Sequence, residues 1–403
     1  MLTYADLRSA CTSGGASVLT SVTELSPAAG PHASIAPAKF VERGNSVFAF
    51  ETRYVDGEAV KATLLDSKQS SLNRCEAAIS QDIRDGHSVM SKLPRLLVDY
   101  GNGLEFMDLE LPHRAFDGHF RAGTIDGGPV TSNESYRAIR NSTTRDASAL
   151  LNTSPTALVL GAWDSTRKSD QVRLRSALVG EIIGVLADQE APGEQQQSKR
   201  GGARVDTLAM SVQLTPDELE RIVDAQEDEL SPNLVEKIRT SIKNARKSRK
   251  GELISASNLG LGGIPPMLEN LGGVSCSRVI RSFVLSFATL RQLRFGSTEE
   301  GNVAARALLA AFGLAALARG EHELYLRANC DLVEAAAPVV TLDERFGNKR
   351  ELPPLTVEAA DALLEEAIAA AAATGVANWG GQILEIVGNP AIRKGAVETS
   401  EED

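Results

Sequence analysis

The side chains best suited to chemistry fall in three short stretches and one charged run. Residues 64–76 (LLDSKQSSLNRCE) place Ser67, Lys68, Gln69, Ser70, Asn73 and Arg74 at a predicted strand-to-helix junction. A helix N-terminus offers unpaired N–H groups and a partial positive charge, so it attracts phosphate. Donors on the first turns suit phosphate, sugar and 2′-hydroxyl better than base edges. An ordinary capped helix with a solvated polar face is the plainer reading of the same residues.

Residues 111–121 (LPHRAFDGHFR) hold His113, Asp117 and His119, all types that Zn²⁺ accepts. On a strand these three would share a face. No fourth ligand is evident, and the interleaved Arg114 and Arg121 suit an anion better than a cation. A contact with RNA or a neighbouring subunit, a satisfied structural histidine pair and a metal site are the three readings. Residues 159–166 (VLGAWDST) continue into Arg167 and Lys168. Asp164 and Ser165 can cap the following turn, while Arg167, Lys168, Arg173 and Arg175 can face phosphate. Trp163 is expected in the core, with stacking on a base as the alternative.

The charged run is residues 237–250, with seven bases and no acid, directly after residues 217–229 with seven acids and one Arg. Lys243 and Arg246 are its candidate contacts. A solvated, salt-bridged helical hairpin is the other reading. The net charge of −11 argues against nucleic-acid binding as a total, but segregation along the chain permits a local positive surface. The tail 398–403 is acidic again.

Several classes are disfavoured. Residues 258–273 are Gly-rich but lack GxxxxGK[ST], so they form no P-loop. No Ser-His-Asp order, nucleophile elbow or carboxylate cluster stands out. Cys11, Cys75, Cys276 and Cys330 are far apart without a CxxC pair, which suggests neither zinc ribbon nor disulfide framework and fits a reducing cytosol. No uncharged apolar run approaches the ~20 residues that span a bilayer, and the N-terminal residues lack the pattern of an export signal. Aromatic residues are only 4%, and the RNP patterns of a base-reading RRM are absent, Arg43–Phe48 being a faint echo.

The elements that must position these groups read as follows. Residues 46–54 and 59–65 form a hairpin about Asp56-Gly57. Ser67 caps a helix through about Ile83. Residues 96–100 and 104–111 flank a second turn at Asn102-Gly103. A buried strand is predicted over 157–163, a helix over 172–187, a polar loop over 191–203 and a strand over 206–214. Thr215-Pro216-Asp217-Glu218 and Ser231-Pro232 open two helices. Residues 258–273 read as a connection, 277–294 and 302–318 as helices, 323–329 as a strand, and 357–373 as a helix capped by Thr356. The result is α+β with an antiparallel sheet, divided as 1–189, an inserted lobe 190–273, and 274–403. No solenoid repeat is present.

The stretches 64–76, 111–121 and 159–166, in this order and spacing, with Arg281-Ser282-Phe283 and the later helices, resemble the backbone RAMP subunit of type I-G (formerly I-U) CRISPR Cascade complexes. The resemblance covers nearly the whole chain, apart from residues 237–250 and the acidic tail. It implies a modified RRM-like (ferredoxin-like) palm, with helical and hairpin extensions as fingers and thumb. It also implies copies packed head to tail along one guide RNA (crRNA), each thumb displacing a nucleotide held by its neighbour and leaving the rest free to pair with target DNA. Other Cascade subunits and a recruited helicase-nuclease would be partners. The chain itself is then expected to be cytoplasmic, non-enzymatic and without a cofactor or membrane contact. The expected RNA-binding residues are Ser67, Lys68, Gln69, Asn73, Arg74, His113, Arg114, Arg121, Ser165, Arg167, Lys243 and Arg246. Two competing readings are a metal-dependent nuclease using His113, Asp117 and His119, and a structural oligomer that touches no nucleic acid.

Overall fold

The computed structural model describes residues 2–248 and 253–396, with 266–270 as backbone alone. Arg249, Lys250 and the acidic tail 398–403 lie outside the described residues. The chain divides into two compact units, one of Met1–Gln196 with Val274–Arg393, the other centred on Gln197–Gly273.

The first unit is built on one antiparallel sheet. Its strands run in the order Lys349–Leu352, Val339–Asp343, Val18–Pro27, Cys276–Ser286, Leu178–Leu186, Glu58–Asp66 and Phe50–Val55. The Lys68–Arg84 helix leads from the early strands towards Leu178–Leu186, and the Glu299–His322 helix leads from Cys276–Ser286 to Val339–Asp343. Taking Val18–Pro27, Leu178–Leu186, Cys276–Ser286 and Val339–Asp343 as strands one to four, their spatial order is 4-1-3-2. This is the ferredoxin-like arrangement of an RRM-like palm, extended at one edge by the Phe50–Asp66 hairpin. The second unit is inserted in the chain between strands two and three.

Local chemistry explains much of this. Asp56 and Gly57 take φ of 53° and 86°, the left-handed pair that a two-residue hairpin turn requires. Ser67 Oγ accepts from the Ser70 N–H at 3.2 Å and starts the Lys68–Arg84 helix. Thr356 does the same for Val357–Ala373. The Glu299–His322 helix is buried over nearly its whole length, against the Lys68–Arg84 and Val357–Ala373 helices. It is long and apolar enough to span a membrane, but that apolar surface is spent on the core.

Several sequence expectations are corrected. Residues 172–187, expected helical, are strands Arg173–Leu174 and Leu178–Leu186. Gly180 and Gly184 are the reason this segment fits the sheet. A Cβ at Gly180 would stand 2.3 Å from the Phe283 ring, and one at Gly184 2.5 Å from Cys276 Sγ. Residues 277–294 are mostly the strand Cys276–Ser286, with alternating burial along its length. Residues 157–163 begin as the short helix Thr156–Val159 after Pro155 and end as the two-residue strand Ala162–Trp163. No strand forms over 323–329, and 206–214 contributes only Gln213–Leu214.

In the second unit, residues 258–273 are more than a connection. Ile264–Gly273 pairs antiparallel with Ser198–Arg204. Thr215 and Glu218 form a full capping box on Pro216–Gln226. That helix packs against Pro232–Lys247 through Leu219, Val223, Val235, Ile238 and Ile242.

Candidate nucleic-acid interface

The three stretches singled out in the sequence meet at one groove of the first unit. A cavity of about 510 Å³ is lined by Lys68, Gln69, Asn73, His113, Arg114, Trp163 and Arg173, among others, and by no carboxylate. A second cavity of about 360 Å³ shares Arg173 and Leu174 with it, adds Arg175, Thr289 and Gln292, and again has no carboxylate in its lining. Lys68, Arg173 and Arg175 have no ion-pair partner among the described residues. The side chains of Gln69 and Asn73 are exposed and make no hydrogen bond among the described residues.

A third cavity of about 580 Å³ continues along the Lys68–Arg84 helix past Gln69, Asn73 and Arg114. Its charges are balanced. Arg84 is tied to Glu110 at 2.8 Å and lies 3.7 Å from Glu105, and Arg114 is bound to Glu76 at 2.5 and 2.9 Å. The uncompensated positive field therefore belongs to the end marked by Lys68, Trp163 and Arg173.

Several expected contacts are braces of this groove. Arg114 Nη1 donates to the Gly161 carbonyl at 2.8 Å while its other nitrogens hold Glu76. Glu76 is buried, and burial pushes its carboxyl above the ordinary range against the opposing pull of Arg114. Arg74 is ion-paired with the buried Asp66, which also accepts from Ser71 Oγ at 2.6 Å. Arg121 binds Thr166 Oγ1 and the Asp117 carbonyl. Arg167 donates to the Arg140 carbonyl and to Asn141 Oδ1, and Arg140 in turn holds the buried Asp164 at 2.8 Å. Ser165 is exposed, and its carbonyl accepts from Gln171.

The metal reading is overturned. Residues 113–121 are a short 3-10 turn and a helical turn rather than a strand. The Asp117 carboxylate accepts from the backbone N–H groups of His113 and His119, at 3.1 and 2.9 Å. His119 Nδ1 shares a 2.7 Å hydrogen bond with the Tyr100 hydroxyl. Among the described residues no group of three or more His, Cys, Asp or Glu is placed to hold a metal. Trp163 is also corrected: it is 46% exposed rather than in the core. Its backbone is the cross-strand partner of Arg173, whose guanidinium carbon lies 4.4 Å from the ring centroid. No signal along the chain pointed to this pairing, nor to Glu76 as the partner of Arg114, 38 residues away.

The second unit holds the basic run. Arg246 is chelated by Asp217 and Glu220, and Arg239 by Asp224 and Glu227, as a salt-bridged helical pair. Lys243 is exposed, without a partner among the described residues, and lines a cavity of about 540 Å³ beside Glu236 and Arg239.

The described residues thus form an α+β palm with a groove whose lining holds cations and no carboxylate. Residues 19–189 match the family described as CRISPR-associated protein GSU0053 (Cas_GSU0053). Over this segment, which is less than half of the chain, the protein is similar to a CRISPR-associated family. The segment contains all three motif stretches, Arg173 and Arg175. No curated protein matches the chain.

Proposed function

We propose that the protein is the guide-RNA-binding backbone subunit of a CRISPR surveillance complex. The observation that carries the reading is the convergence of three separate motifs on a groove with cations and amides but no carboxylate in its lining. Unpaired Lys68, Arg173 and Arg175 attract phosphate, while Gln69 and Asn73 offer hydrogen bonds to sugar and 2′-hydroxyl groups. Such contacts hold a strand in register without reading its sequence, which leaves recognition to base pairing.

Repeated along one crRNA, copies related head to tail through unlike faces form an open helical filament whose length the RNA sets. The finer assignment, to the type I-G backbone subunit, includes target DNA, other Cascade subunits and a recruited helicase-nuclease as partners. It makes the chain cytoplasmic and leaves cleavage to other subunits. The test is to purify the chain from cells carrying its repeat array and sequence the bound RNA, with gel-shift titrations of single-stranded RNA at low and moderate salt. Repeat-derived RNA and salt-sensitive, sequence-tolerant binding are expected. No binding at low salt, alone or with the partner subunits, overturns the proposal.

A further inference from the structure

The two tryptophans are treated in opposite ways by the fold. Trp379 is 3% exposed, donates its indole N–H to the Leu151 carbonyl at 2.8 Å and packs edge-on to Phe312. That is how a tryptophan serves a core. Trp163 is 46% exposed, and its indole N–H has no partner among the described residues. Leaving so large an apolar ring in water forgoes the burial that would stabilise the fold.

The surroundings of Trp163 are nevertheless fixed. It sits on a two-residue ribbon, with Ala162 opposite Leu174 and Trp163 opposite Arg173. Gly161 begins the ribbon at φ 85°, where a Cβ would meet Ser176 Oγ at 2.6 Å. The Ser176 hydroxyl donates to the Leu160 carbonyl at 2.8 Å, and Arg114 holds the Gly161 carbonyl. Asp164, the next residue, is buried and tied to Arg140. A ring held this firmly, with the Arg173 guanidinium on it and a carboxylate-free groove beside it, has the parts of a stacking platform.

We infer that the Trp163 ring, backed by the Arg173 guanidinium, stacks one nucleobase of the bound strand, while Lys68 in the same cavity lining takes the adjoining phosphate. The inference rests on the RNA-binding reading above and adds a base contact to it. Stacking needs only a π-face, so the contact tolerates any base and favours the larger purines.

The experiment uses the full chain and three 12-mer probes: oligo(A) RNA, oligo(U) RNA and an abasic ribose-phosphate oligomer. Intrinsic fluorescence is informative because Trp379 is buried and only Trp163 can meet a base. Oligo(A) is expected to quench the emission of Trp163 and to bind more tightly than oligo(U), and the abasic oligomer to bind without quenching. W163A weakens oligo(A) binding about tenfold and abolishes the quench, whereas W163F recovers most of the affinity. Oligo(A) that shifts in a gel without quenching, or W163A that binds as wild type does, overturns the stacking and leaves the backbone-gripping reading standing. A wild-type chain that binds none of the three probes overturns both.

Discussion

Removing the charge of Lys68 tests the groove through a quantity that the structure constrains, the salt dependence of RNA binding. Lys68, Arg173 and Arg175 are the cations of the two carboxylate-free cavities that have no acidic partner among the described residues, whereas Arg114 is neutralised by Glu76. Each single-strand phosphate neutralised contributes about −0.7 to the slope of log affinity against log salt, so three give about −2.1. Between 50 and 200 mM salt, this slope lowers the affinity of one site roughly 18-fold. K68A reduces the slope to about −1.4, and the loss over the same range falls to roughly sevenfold. The assay is fluorescence anisotropy with a labelled RNA short enough to occupy one subunit, titrated at four or five salt concentrations. K243A and R246A serve as controls on the second unit. A K68A slope equal to that of wild type, or a larger drop in the controls, would refute the assignment of the strand to this groove.

Two further predictions concern the walls of the site. R114A leaves the buried Glu76 carboxyl without its cation, the side-chain exposures in the pair being 14% and 5%. Unfolding in urea should show a loss of about 3–5 kcal/mol, with the salt slope of any folded protein unchanged. A loss below about 1 kcal/mol would mean that the ion pair does not brace the groove. Asp108 is fully buried, and burial raises its carboxyl from 3.8 to about 6 in spite of hydrogen bonds from Ser154 and Thr156. Between these values the folded chain holds a proton that the unfolded chain has lost, so stability falls as pH rises from about 4 to 6. The full difference is about 3 kcal/mol and remains constant above that window. Unfolding titrations from pH 3.5 to 7.5 on wild type and D108N would reveal it, and an identical pH slope in both proteins would remove Asp108 as its source.

The features legible in the sequence are those decided within a few residues. Asp56-Gly57 fixes a left-handed turn, and Ser67, Thr215, Ser231 and Thr356 each satisfy a helix N-terminus from their own side chain. The Lys68–Arg84, Pro216–Gln226, Pro232–Lys247, Glu299–His322 and Val357–Ala373 helices follow from such signals and from apolar periodicity. The central strands were not legible in the same way. Leu178–Leu186 is covered on both faces only from Ile182 onward, and its apolar residues, interrupted by Gly180, Glu181 and Gly184, show no period that separates strand from helix. In Cys276–Ser286 the alternation was present but disguised by Arg281, an inward position occupied by a buried guanidinium facing Glu321 and Glu334.

The site divides in the same manner. Residue types and capping patterns in 64–76, 111–121 and 159–166 nominated the stretches that line the groove. Within those stretches, which cation is free and which is spent was settled by partners far away in the chain. Glu76 claims Arg114, Asp217 and Glu220 claim Arg246, and the Asp117 carboxylate caps two backbone N–H groups instead of facing a metal. Trp163 is exposed because its ribbon partner is Arg173 and no apolar surface closes over it. The chain's own order therefore determined its turns, caps and candidate residues, since these depend on neighbours along the backbone. The tertiary structure alone decided burial and charge pairing, because both depend on which distant groups the fold brings within a few ångströms.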